Sequence, residues 1–79
     1  MAFATAVVAF TAAGADSQAF TWVPALITNP PKVLEVGVVV TTAGQGPPVP
    51  YIVGAPTNTG GTVAISAPTD CTITIVGSD

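Results

Sequence analysis

Residues 60–77 read GGTVAISAPTDCTITIVG, two alternating runs of β-branched and small residues parted by a turn. In the second run Cys71, Ile73 and Ile75 share one parity, while Asp70, Thr72 and Thr74 share the other. Successive side chains of a strand point to opposite faces, so this spacing predicts one buried face and one solvated face. Residues 62–66 repeat the scheme, with Val63 and Ile65 inward and Thr62, Ala64 and Ser66 outward. Pro68-Thr69-Asp70 carries the residue types of a turn.

The same reading extends outward along the chain. In 32–42 an apolar stripe of Leu34, Val36, Val38 and Val40 faces away from Glu35, Gly37 and Thr41. Val39 breaks that alternation, which predicts a central strand covered in part on both faces. Phe20 and Trp22 share a face, as do Val49, Tyr51 and Val53. The eight prolines are spread so that no helix of ordinary length fits after residue 24, since each would break a helix interior. Alanines in the N-terminal run favour helix, whereas Thr5, Val7, Val8, Phe10 and Thr11 favour strand and lead straight into a turn at Gly14. Strands are therefore expected at about 3–12, 18–23, 32–42, 49–54, 61–66 and 70–77. Turns are expected at Ala13-Gly14-Ala15-Asp16, Ala43-Gly44-Gln45-Gly46 and Asn58-Thr59-Gly60-Gly61 as well as before Cys71. The expected fold is all-β, one domain over residues 1–79: a small antiparallel β-sandwich or partly open barrel of about six to seven short strands.

Composition bounds what such a domain can do. At 79 residues it buries only about 60% of its unfolded surface and is marginal by itself. One cysteine makes no internal disulfide, and one cysteine without histidine makes no structural zinc site. Oligomerisation or docking on a larger surface is the remaining route to stability. Charged residues are 6% of the chain, where an ordinary soluble domain has about 25%. Lys32 is the single cation and the net charge is −3, which argues against nucleic acid, whose phosphates need several cations. The charge-free start, MAFATAVVAFTAAGA at 1–15, is shorter than the roughly 20 residues of a spanning helix, so no membrane is expected. It also lacks the basic start of a secretory leader.

Catalytic residue types are scarce. Without histidine the usual general base and commonest metal ligand are missing, and no cofactor is expected. Asp16 and Asp70 lie in turn contexts, where a carboxylate commonly bonds its own backbone; Asp79 ends the chain and Glu35 opposes an apolar stripe. Lys32 and Glu35, three residues apart, should point to opposite faces of a strand. Cys71, on the face of Ile73 and Ile75, is expected to pack as a small apolar residue; the sharper alternative is a disulfide between chains. Trp22 and Tyr51 suit core or interface anchors, or sugar-stacking platforms. The proline-rich loop GQGPPVPY at 44–51 suits a contact loop, because prolines reduce the entropy lost on docking. The candidate interface residues are thus Trp22, Pro47, Pro48 and Tyr51.

The stretch FTAAGADSQAFTWVP at 10–24 resembles the opening of a small β-sandwich module of tailed-bacteriophage virion proteins. That module reads F-T-G-D-G-S-T-T-x-F-T-I-P, followed by a loop, a proline-led valine-rich strand, an aromatic strand and a Thr/Val/Ile-rich hairpin. Phe10-Thr11, Gly14, Asp16-Ser17 and Phe20-Thr21 match its opening; Pro31 with Val33 to Val40, Tyr51-Ile52-Val53, and 60–77 match the rest. Alanine stands at 12 and 13 where the module usually has glycine, and Ala25-Leu26-Ile27 replaces its His-Gly-Leu. The resemblance implies a non-enzymatic capsid decoration protein located in the virion, a homo-oligomer with a trimer foremost. Its implied partner is the major capsid protein or another virion protein. A tail or fibre module that binds a host glycan is the alternative, and a small enzyme is the reading the residue types support least.

Overall fold

The computed structural model describes residues 2–79, which form six strands: β1 (Phe3–Phe10), β2 (Ser17–Thr21), β3 (Lys32–Val40), β4 (Pro50–Ile52), β5 (Gly60–Ile65) and β6 (Cys71–Ser78). They make two three-stranded antiparallel sheets, ordered β1-β6-β3 and β2-β5-β4. Packed face to face, the sheets form a slab of 39 × 18 × 15 Å. The fold is a sandwich and not a closed barrel. On one side the sheets meet through an antiparallel bridge between Thr5 and Val23, whose backbones exchange hydrogen bonds of 3.1 and 2.9 Å.

The core is where the alternation placed it. From β6 come Cys71, Ile73 and Ile75; from β5, Val63 and Ile65; from β1, Ala4, Ala6, Val8 and Phe10. The N-terminal run is a strand despite its alanines, because every second residue from Ala4 to Phe10 has a hydrophobic neighbour to cover. Phe20 meets Trp22 edge-on at a centroid distance of 5.0 Å, and the indole N–H donates to the Thr57 carbonyl at 3.0 Å. Gly77 makes room for that indole, since a Cβ there would lie 2.6 Å from a Trp22 ring carbon. Gly60 is likewise obligatory, as a Cβ would collide with the Phe20 backbone carbonyl.

Several expectations are corrected. Leu34 does not face the core; it is 52% exposed. The β3–β6 register runs Val33↔Gly77 and then Glu35↔Val76, so Leu34 is the extra residue of a β-bulge and Val33 takes the inward place. The bulge also shifts parity, bringing Lys32 and Glu35 to the same outer face. Nor is β3 central. It is an edge strand, and Val39 is 67% exposed. Residues 60–77 are not a hairpin: β5 and β6 are the central strands of opposite sheets, and residues 66–70 arch between them. Facing sheets lie roughly 10 Å apart, a span that five residues cover easily, and Pro68 has no N–H to offer a ladder. The turn lies one residue earlier than expected: Gly60 closes it with Thr57 and at the same time opens β5. Ala64, placed outward, is nonetheless buried, because it is small and lies between Ser17 and Tyr51 on neighbouring strands.

Candidate functional site

The ends of the slab are tied by carboxylates. Asp70 accepts hydrogen bonds from the Ala12 N–H (2.8 Å), the Thr42 hydroxyl (2.9 Å) and the Gln45 amide (3.1 Å), while its own N–H donates to Gln45 Oε1 at 2.8 Å. One side chain thus joins the β1–β2 turn, the segment after β3 and the β5–β6 arch. The Ala12 N–H foremost, then the Thr42 hydroxyl, holds the carboxyl below its ordinary pKa. This differs from the expected bond to its own backbone. At the other end Asp79 Oδ1 accepts from the Thr28 and Ile27 N–H groups at 2.8 and 2.7 Å, which lowers its pKa too. Nothing in the spacing of Gln45 or Asp79 announced these roles, since both partners are remote in sequence.

This layout separates the acidic groups. Asp70 and Asp79 flank opposite ends of β6, roughly 30 Å apart along an extended strand. Two carboxylates held that far apart cannot share one bond-making event. Glu35 lies on the outer face of the β1-β6-β3 sheet and Asp16 in an exposed turn. Among the described residues no group of His, Cys, Asp or Glu could hold a metal ion. No helix among them is long and apolar enough to cross a membrane. The Cys71 thiol is buried, and burial together with the neighbouring Asp70 charge raises its pKa.

Of the residues expected at an interface, Trp22 is 2% exposed and belongs to the core, and Pro48 is buried within the loop. Pro47 and Tyr51 stay on the surface, Tyr51 at 51% exposure. Tyr51 keeps company that the alternation did indicate, with Val49 and Val53 exposed on the same outer face of the β2-β5-β4 sheet. The face they share was expected; that it is the outer one follows from Ile52, which points inward and packs on the core.

The opposite outer face is broader. Its rows across β1, β6 and β3 are Phe3–Ser78–Lys32, Thr5–Val76–Glu35, Val7–Thr74–Gly37 and Ala9–Thr72–Val39. Phe3, Val7, Leu34 and Val39 are all exposed there. Between β1 and β2 lies a groove of about 720 Å³ lined by Val7, Ala9, Gln18, Ala19 and Thr21 among others. The Gln18 amide spans it, donating to the Ala9 carbonyl at 2.8 Å. What this surface offers is apolar and hydroxyl contact with very little charge. Comparison with models of known protein families, with curated proteins and with solved structures finds no match.

Proposed function

We propose that this chain is a non-enzymatic structural protein of a bacteriophage virion, a capsid decoration protein that docks on the assembled shell. The observation that carries this reading is the outer face just described, where Phe3, Val7, Leu34 and Val39 stand exposed among threonines and only Lys32 and Glu35 carry charge. A sheet face that exposes several large apolar side chains with so few charges around them suits contact with other protein. Because the binding surface on a shell exists only after assembly, docking stabilises the assembled state by mass action. Apolar burial and backbone pairing supply the contact, with charge too sparse to contribute much.

The glycan-binding alternative asks for paired exposed rings. Here Trp22 is interior, while Tyr51 and Phe3 lie on the outer faces of opposite sheets, so they form no common platform. The test is to add the purified chain to shells assembled from a tailed-phage major capsid protein, and separately to the unassembled coat protein. Binding to shells alone, in large molar excess per particle and with a higher shell melting temperature, is the expected result. Binding in a few copies at the tail, or equal affinity for unassembled coat protein, would overturn it.

A further inference from the structure

A two-sheet sandwich leaves four strands at sheet edges, here β1, β3, β2 and β4. Exposed edges are templates for pairing with other chains unless something blocks them. On β1 and β2 the free backbone groups are partly used by the Thr5–Val23 bridge, and the Gln18 amide occupies the Ala9 carbonyl. On β4 the edge is three residues long, and Pro50 has no N–H to give. The first half of β3 is protected by the Leu34 bulge and by Lys32. Its second half, Val36-Gly37-Val38-Val39-Val40, has no charge, no proline and no bulge.

Which backbone groups of that segment are free follows from the ladder. The Thr41 N–H donates to the Asp70 carbonyl at 2.9 Å, on the β6 side. Alternation then sends the N–H and C=O of Gly37 and Val39 toward β6, and those of Val36, Val38 and Val40 outward. Those outward groups meet no partner strand among the described residues. The segment is also held straight between the bulge and the Asp70 ties, so little ordering is lost on pairing.

We infer that β3 pairs with β3 of a second copy of this chain about a twofold axis at Val38, extending β1-β6-β3 into a continuous six-stranded sheet. The occupant is a second copy because the edge complements itself. With Val38 opposite Val38, each Val36 faces the other chain's Val40 and each Val39 faces its Gly37, so the free groups fall in hydrogen-bonded register. Glu35 then faces the uncharged Thr41, and Lys32 lies beyond the bulge, so no like charges meet in the paired segment. A twofold pairing of β3 with β3 uses that edge on both copies, so this contact closes at two, unlike the threefold order implied by the module resemblance. The inference needs no shell and is independent of the docking proposed above.

The experiment is sedimentation together with residue-resolved amide exchange on the intact chain, from micromolar to millimolar concentration. Expected is a reversible monomer–dimer equilibrium in which Val36, Val38 and Val40 amides gain protection as concentration rises, while Gly37 and Val39 are protected throughout. Val38→Pro removes two intermolecular bonds without touching the β6 ladder, and should weaken the dimer roughly thirty-fold. If that variant fails to fold, Val39→Lys, which places a cation on the exposed side of the same edge, decides the matter, with Val7→Lys on distant β1 as the control that leaves the dimer intact. A monomer at every concentration, a trimer, a dimer whose Val36, Val38 and Val40 amides stay unprotected, or equal effects of the two lysine variants would each overturn the inference.

Discussion

Ile73 has no exposed surface, and its neighbours Cys71 and Ile75 are also buried at the centre of the β1-β6-β3 sheet. Replacing it with Asp puts an unpaired charge in the core and should abolish folding. Ile73→Ala alone should cost about 2–5 kcal/mol, where a chain of this length has roughly 4–12 kcal/mol in all. Leu34→Asp should barely shift a urea melt, although Leu34 sits in the same apolar stripe of the sequence. A Leu34 variant as damaging as the Ile73 one would show that the bulge is absent in solution. Cys71 is legible for the same reason as Ile73: both fall on the buried parity of a regular strand. Its thiol should resist iodoacetamide until the fold opens, and non-reducing gels should show no linked dimer; rapid labelling of the native chain would refute its burial. Leu34 was not legible, because a bulge inserts one residue without leaving a glycine or proline to mark it. A single such insertion reverses the parity of everything on one side of it, which is why the facing of β3 follows the alternation from Glu35 onward and departs from it at Leu34 and Lys32.

At the scale of elements, the strands follow from β-branched alternation and the turns from glycine and proline, but the pairing of strands does not. Val63 and Ile65 face Cys71, Ile73 and Ile75 equally well across a core as along a hairpin, so nothing in 60–77 distinguishes an arch from a hairpin. What secures the arch is Asp70, which binds the backbone after β1 and side chains after β3. Its pKa is lowered in the folded state, so ionised Asp70 binds fewer protons folded than unfolded at acid pH. It therefore contributes stability above the unfolded pKa, near 4, and that contribution fades as pH falls through the lower folded value. Asp70→Ala should melt at a lower temperature than the parent at pH 7, and the gap should narrow progressively below pH about 4. Thermal melts of both chains across pH 2–7, an interval of about five units, measure this directly. A gap that stays constant over the whole interval would assign the loss to packing and not to the carboxylate.

For the whole molecule, the deciding quantity is how little charge covers how much apolar surface. One Lys and four carboxylates serve 79 residues, and the exposed side chains include Phe3, Val7, Val23, Ile27, Leu34, Val39, Val49, Tyr51 and Val53. Contacts built from ion pairs weaken when salt shortens the Debye length from about 10 Å at 0.1 M to about 3 Å at 1 M. Contacts built from apolar burial and backbone pairing do not, and sulfate strengthens them by being excluded from the surface. The net charge of −3 adds a mild repulsion between copies that salt would relieve. Association of this chain, with itself or with a shell, should therefore hold or tighten between about 0.1 and 1 M sodium chloride, and tighten further in ammonium sulfate. Sedimentation or particle pull-down at those ionic strengths is the measurement. If complexes fell apart at high salt, the few charged groups would have to dominate the contact, and Lys32 and Glu35 would replace the apolar side chains and the β3 edge as the groups on which binding turns.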